Sequence, residues 1–538
     1  MKMQSKQPRQ PHPSEVQALQ QLFQSGLLPQ AEARAQTLLA MYPNELALYN
    51  ILGLCQQAQG KYREAVASFR KILSIDPRIA ELHFNLGVIL SQINETDDAM
   101  ASYRKALQLK PNFTVAHFNL GTLLQAQGLL QEAALHYQKA IDIEPGFFEA
   151  LGNLGTIMQQ RGQLEQAGQC YRKVLALRPD ARGHFNLGTT LYGQGEHEEA
   201  IRAFREAVRL DPHFADAWND LGETLRDRGE MDEAIRCYKQ ALTVQPGHDR
   251  AKYNLGEFFC LAGRLQDAIP YFEGSNFADA QDRALQCYYK TRQFEVFKDK
   301  FDQLTAHRQH ASVLLGTLST HYATNFRQVN TYNFCKEPMN YVVQSRIDEL
   351  AEPDSPLLKE LLHDIQHLAI AERKQGRLYY GMQSAGNLLQ RSEPSYQKLT
   401  AIIRRKVLEY QQRFAGSRYE LILGFPNEIE FISSWYLRMK KGGYLTSHIH
   451  EEGWISGCVY LQLPAKNSAH EGSFEYSTDG DNYPRLHDDF PSQIVDQQVG
   501  DLVLFPSSLF HRTLPFYSDQ ERVCVAFDVK PAPFVGLK

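Results

Sequence analysis

The sequence has no apolar run approaching the ~20 residues that a membrane-spanning helix needs. It also has no long block of Lys and Arg, and its formal net charge is −5. Neither a membrane nor a nucleic-acid partner is therefore expected. No CxxC pair occurs among the eight cysteines (Cys55, Cys170, Cys237, Cys260, Cys287, Cys335, Cys458, Cys524), which argues against zinc ribbons and thioredoxin-type chemistry. Scattered cysteines fit isolated thiols in a reducing, cytoplasmic setting. Residues 1–13 are rich in Gln, Lys and Pro without an apolar core, so a short disordered tail is expected there rather than a secretory signal. What remains is ordinary globular composition, 43% hydrophobic and 22% charged, on a chain too long for a single core.

What the sequence does have is a period. Pro43, Pro77, Pro111, Pro145, Pro179, Pro212 and Pro246 stand 34 residues apart, with one step of 33. Ala31, Ala65, Ala99, Ala133, Ala167, Ala200, Ala234 and Ala268 keep the same step, as do Gly53, Gly87, Gly121, Gly155, Gly188, Gly222 and Gly256. Small residues let two antiparallel helices approach, and Pro opens the next helix where its missing N–H is harmless. A second glycine set (Gly26, Gly60, Gly128, Gly162, Gly195, Gly229, Gly263) suits a left-handed turn between paired helices. Asn94 fills its one gap.

This pattern resembles the tetratricopeptide repeat (TPR) over residues 14–275, in about eight copies. The resemblance implies an all-α superhelix with a concave groove. Asn85, Asn119, Asn153, Asn186 and Asn254 each stand two residues before a repeat glycine, with Asp220 and Ile51 in the same place elsewhere. They are similar to the asparagine ladder in the superhelix of the O-linked N-acetylglucosamine transferase, where the amides grip an extended polypeptide. A carboxamide carries two donors and an acceptor, so it can read a peptide bond without reading the side chain. The same asparagines are also compatible with packing within the repeat.

After Ala268 the period fades. Residues 276–328 read as a helical cap or linker, and two amphipathic helices are expected near 355–373 and 395–414. From Tyr419 short alternating runs appear: Ile429–Met439, Gly457–Leu463, Ser473–Tyr476, Leu502–Phe505 and Val523–Val529. Period two with Gly and Pro punctuation predicts a β-sandwich or barrel. The fold class is thus multidomain, with α-repeats followed by an α+β domain over 329–538.

That domain contains His448-Ile449-His450, then Ser456-Gly457, Tyr460-Leu461, Gly500, Leu502, Phe505-Pro506, His511 and Arg522. The set resembles the double-stranded β-helix (jelly-roll) of Fe(II)/2-oxoglutarate dioxygenases, in particular a bacterial branch. Prolyl hydroxylases and the aspartyl/asparaginyl β-hydroxylase share the plan. The resemblance implies Fe(II), 2-oxoglutarate as cosubstrate and O₂. Its metal ligands would be His448, His450 and His511, with Arg522 and Tyr460 on the distal carboxylate of 2-oxoglutarate. Three ligands on one face leave open positions for cosubstrate and O₂. One departure is HxH where HxD or HxE is usual, and Glu452, giving His450-Glu451-Glu452, is the alternative third ligand. The competing place for Arg522 is a surface ion pair with Glu521 or Asp519. His470 and His487 look like surface residues.

The expected function is hydroxylation of a protein or peptide held by the repeats, with decarboxylation of 2-oxoglutarate to succinate. A small-molecule tailoring oxygenase recruited through the repeats, or a non-catalytic interaction protein, are the alternatives.

Overall fold

The computed structural model describes residues 10–306, 311–352, 354–368, 370–373, 376–425 and 429–531. Of the expected tail, residues 1–9 lie outside the described residues. By His12 the chain is ordered: its side chain caps the first helix, Pro13–Gln24, and Glu15 returns a bond to the His12 N–H. The chain divides into two compact units, Met1–Ala251 and Lys252–Lys538.

The first unit is the repeat array. Among the described residues seven antiparallel helix pairs run from Pro13–Gln24 with Leu28–Met41 to Ala215–Asp227 with Met231–Val244. The eighth pair, Asp249–Leu261 and Leu265–Glu273, begins at the division. The turn glycines do adopt left-handed backbone; Gly60 has φ +73° and Asn94, the substitute, φ +61°. Beyond each, a returning amide closes the helix end, as Lys61 N–H does on Gln56 C=O at 2.8 Å. The other glycines seat a ring. A Cβ on Gly222 would stand 2.6 Å from Tyr238, and one on Gly87 2.7 Å from Tyr103. The rings involved (Phe69, Tyr103, Tyr137, Tyr171, Phe204, Tyr238, Phe272) come from the second helix of the same repeat and are almost fully buried.

The second unit opens with helices Ala280–Lys290, Phe294–Ala306 and Val313–Asn325. Their core includes Tyr483 and Phe510 from the β-region, so these helices are packed into the β-domain rather than standing as a separate linker. Ten strands follow: β1 Val343–Arg346, β2 Glu372–Arg373, β3 Leu378–Ser384, β4 Ile429–His448, β5 Ile455–Gln462, β6 Phe474–Ser477, β7 Ser492–Val495, β8 Asp501–Pro506, β9 Phe510–Thr513 and β10 Arg522–Pro531. Helices Pro356–His367 and Pro394–Arg413 lie between them in sequence; the first stops well before residue 373, which belongs to β2.

The strand order is β1-β8-β5-β10-β4-β9-β6-β7, with β2 pairing β3 and β3 also on β4. Strand β4 joins two halves. Its residues 429–439 pair with β10, and Leu445 to His448 pair with β9. Between them Gly442, at φ +79°, lets the strand turn from one half to the other. Alternation then sorts the side chains. On β10, Val523, Val525, Phe527 and Val529 pack with the buttressing helices, whereas Arg522, Cys524 and Ala526 line an inner cavity. No helix of the described residues is long and apolar enough to cross a membrane.

Candidate metal centre

Strand pairing brings the first two histidines together. His448 closes β4 and stands directly opposite His511 on β9. His450 lies just past the end of β4, so it is placed by the following turn rather than by strand alternation. The ligand atoms of His448, His450 and His511 lie within 4.8 Å of one another, and among the described residues they are the only such cluster.

The hydrogen bonds assign the ring protons. His448 Nδ1 faces the Thr446 carbonyl at 2.8 Å, His511 Nδ1 the Leu509 carbonyl at 3.2 Å, and His450 Nδ1 the Asp528 carboxylate at 2.6 Å. Each Nδ1–H donates, which leaves each Nε2 bare when the ring is neutral. Two of these nitrogens, on His448 and His450, are 3.2 Å apart. Lone pairs converging at that spacing repel one another unless a cation lies among them. Burial, then the neighbouring histidines, keep His448 and His511 from becoming that cation: His448 is pulled down to about 3 and His511 well below its ordinary value. The donor set therefore fits a divalent metal, and imidazole nitrogen suits iron.

Glu452 is exposed and outside this cluster. His470 is also exposed, pairing with Asp496 at 3.1 Å, and His487 contacts the Thr324 carbonyl.

From the histidines an enclosed cavity of about 40 Å³ runs inward between the two halves, lined by Trp435, Leu437, Leu445, Tyr460, Phe474, Phe505 and Thr513 among others. Arg522 belongs to the same lining and is 1% exposed. The surface alternative for this residue fails, because Glu521 pairs with Arg438 and Asp519 with Lys441. Arg522 instead donates to the Gly472 carbonyl at 3.2 Å, lies 3.2 Å from Cys524 Sγ, and stacks 5.2 Å above the Tyr460 ring. Among the described residues it pairs with no carboxylate. The Tyr460 hydroxyl is buried there, with the Cys458 thiol beside it and no oxygen or nitrogen partner among the described residues. Burying a guanidinium without an anion is costly, and the acidic group against it, the Cys524 thiol, is pulled down by Cys458 and Arg522.

Outside His511 a larger polar basin, about 1090 Å³, is lined by Ser447, Glu475, Asp479, Asp481, Lys290 and Arg512 among others. Its wall, residues 478–490, is tied to the helices of the same unit. His321 contacts Asp479 at 3.0 Å, Lys290 reaches Asp481 at 2.9 Å, and Asn325 donates to the Pro484 carbonyl at 2.8 Å.

In the repeat unit the asparagine ladder is half-buried at Asn85, Asn119, Asn153 and Asn186; Asn254, in the second unit, is buried. Asn119 Nδ2 donates to the Tyr103 hydroxyl at 3.4 Å, and Asn153 Nδ2 to that of Tyr137 at 3.1 Å. Those two amides each spend one donor on the preceding repeat. Asp220 pairs with Arg250 at 3.1 Å. Sequence reasoning missed Asp528, although it continues the inward series Arg522, Cys524, Ala526. It also took the cysteines as isolated, yet Cys260 and Cys287 bring their sulfurs to 3.5 Å, and Cys458 and Cys524 line the inner cavity together.

Residues 433–528 match the family model described as "Putative 2OG-Fe(II) oxygenase". Tetratricopeptide-repeat models match 18–78, 80–113, 115–147, 136–169, 153–213, 185–236 and 219–283. The chain is a TPR array with a C-terminal domain of the 2OG-Fe(II) oxygenase family. The oxygenase-family match contains all three histidines, Tyr460, Arg522 and Asp528. Similar solved structures include YrrB, described as a TPR protein with an unusual peptide-binding site, at 26% identity, covering 35% of this chain and 96% of that one, TM-score 0.33. PilF of Pseudomonas aeruginosa gives 24% identity, 39% and 97% coverage and TM-score 0.34. The C-terminal part of a TPR protein of Cytophaga hutchinsonii gives 18%, 44% and 97%, and 0.39. A search of curated proteins found no match.

Proposed function

We propose that this protein is an Fe(II)/2-oxoglutarate-dependent oxygenase that hydroxylates a protein or peptide held by its TPR array. The observation that carries the reading is Arg522, a buried guanidinium with no carboxylate partner among the described residues, in the same inner cavity as three converging imidazoles. A metal site alone would not need that cation; a dicarboxylate spanning the cavity would.

His448, His450 and His511 would hold the metal. Arg522 would fork onto the far carboxylate of the cosubstrate, and the Tyr460 hydroxyl would add a hydrogen bond. An Fe(II) ion held there would supply, with 2-oxoglutarate and O₂, oxidation of an unactivated C–H bond with release of succinate and CO₂. The apolar lining from Trp435 to Phe505 excludes water from that chemistry. The basin at His511 admits the substrate side chain. In the array, the amide groups that Asn119 and Asn153 leave unused, with those of Asn85 and Asn186, bind the substrate backbone remote from the reacting atom, which supplies orientation.

The test is to incubate cell lysate with the protein, Fe(II) and 2-oxoglutarate and to search by mass spectrometry for peptides heavier by one oxygen. Succinate formation with matching oxidised peptides is expected. Oxidation that proceeds without 2-oxoglutarate overturns the cosubstrate assignment. Turnover confined to small metabolites, unaffected by removal of the repeats, overturns the protein substrate.

A further inference from the structure

The HxH sequence leaves the metal centre without the anionic ligand of the usual HxD or HxE pattern. Three neutral imidazoles balance none of the charge of a divalent ion. One carboxylate stands nearby, on a different strand. Asp528 on β10 is 5% exposed, and its Oδ1 meets His450 Nδ1 at 2.6 Å. Ser456 Oγ donates to Oδ1 at 2.7 Å and Ser433 Oγ to Oδ2 at 2.8 Å. Ser456 is in turn 2.8 Å from Ser507 Oγ. Gly453 closes the site from above; a Cβ there would stand 2.8 Å from that of Asp528. Three donors thus converge on one buried carboxylate. It lies on the side of the His450 ring remote from the other two histidines.

We propose that Asp528 is a positioning residue that supplies through His450 the negative charge which the HxD pattern supplies by direct ligation. The proposal rests on the metal-centre reading above. The strong Nδ1–H···carboxylate bond fixes the tautomer with Nε2 bare, holds the ring plane, and makes Nε2 a more basic donor. The two serines hold Asp528 in that pose, so its charge reaches the ion only through the ring. The carboxylate of the pattern has therefore moved one shell outward, from position 450 to position 528.

This arrangement predicts a coupling that a structural role does not. In His450→Asp a carboxylate ligand is gained, but Asp528 loses its ring partner and faces a second buried carboxylate. Removing the Asp528 charge should then help.

Cobalt(II) is the probe, titrated into the full chain and followed by its visible absorption band, with the melting temperature of each metal-free variant recorded alongside. Asp528→Asn keeps the shape and an acceptor for Nδ1–H but loses the charge; its cobalt Kd is expected to rise ~10–100-fold. His450→Asp is expected to bind weakly, and His450→Asp with Asp528→Asn at least ~10-fold more tightly than His450→Asp alone. A Kd for Asp528→Asn within about twofold of wild type overturns the proposal, as does a double variant no better than His450→Asp. If Asp528→Asn does not fold, the comparison of the double variant with His450→Asp decides alone, and failure of the double variant to fold overturns the proposal. Wild-type protein that binds no cobalt would instead overturn the metal reading itself.

Discussion

Replacing Arg522 by Met tests the cosubstrate assignment most directly, because two effects of opposite sign follow. Met keeps the length and apolar stem but removes the fork. Hydrogen bonds to a charged group contribute about 1.5–3 kcal/mol, so the Kd for 2-oxoglutarate should rise at least ~10-fold. Linkage converts this into a thermal shift. Cosubstrate at about 100 times the wild-type Kd stabilises the folded state by about 2.7 kcal/mol. If the Kd rises about 30-fold, the same concentration stabilises the variant by only about 0.9 kcal/mol. The ligand-free protein should move the other way. Arg522 is buried against the Gly472 carbonyl, the Cys524 sulfur and the Tyr460 ring, with no carboxylate among the described residues paired to it. Exchanging a buried cation for an apolar chain of similar size is neutral to stabilising. The assay is differential scanning fluorimetry of wild type, Arg522→Met and Arg522→Lys, each with a redox-inert divalent metal, with and without 2-oxoglutarate. The expected ranking of ligand-induced shifts is wild type, then Lys, then Met, with the unliganded Met variant at least as stable as wild type. A wild-type shift in Arg522→Met, at the same metal affinity, would refute the dicarboxylate reasoning.

Four further outcomes are expected. His448→Ala or His511→Ala should abolish stoichiometric iron binding while circular dichroism of the repeat helices is retained, since the repeat clusters contain no residue of the β-domain. His450→Ala should lower succinate formation far more than Glu452→Ala, because Glu452 is exposed and outside the histidine cluster. Gly222→Ala should cost about 1–3 kcal/mol in urea unfolding through overpacking against Tyr238, a clash that a surface Gly146→Ala, with open space around it, does not create. Metal-free protein should lose stability on acidification below the ordinary histidine value of about 6.5. His448 is held neutral down to about 3 when folded, so the unfolded chain binds the extra proton and folding weakens as pH falls. That is about 1.4 kcal/mol per pH unit for this group, read as a melting temperature that drops from pH 6.5 to 5.5 and drops less in His448→Ala.

The array was legible because each signal recurs. A glycine repeated every 34 residues needs no context to be read as a turn, and Asn94 shows the same backbone requirement met another way. The rings seated on Gly53 to Gly256 keep the period too, but aromatic residues in a helix announce only burial, not which glycine receives them. In the β-domain His448, His511 and Arg522 were found because motif spacing survives without knowledge of pairing. Strands β1, β2, β3, β7 and β9 were not found. β2 has two residues and β1, β7 and β9 four each, too few for a period to register, and β3 is buried only at its ends. The expected run Ile429–Met439 continues to His448 because Gly442-Gly443 redirects the strand instead of ending it. Asp528 escaped because its partner is 78 residues away. The inward series on β10 would have flagged it, since a carboxylate facing a closed interior needs donors.

The two kinds of contact in the array act over different ranges. A ring on its glycine lies within one repeat, whereas an asparagine on a tyrosine hydroxyl joins two. Phe69 and Phe204 have no hydroxyl, so Asn85 and Asp220 cannot receive that second link from them. In nearest-neighbour terms the repeats then have similar internal energies but unequal interfaces. Such a lattice does not melt uniformly. It opens in blocks: amide-to-hydroxyl links join the third repeat to the fourth and the fourth to the fifth, and the ions of Asp220 and Arg250 join the seventh to the eighth. A polypeptide lying along the ladder would meet the linked third to fifth repeats as one stiff ruler setting the distance between bound residues.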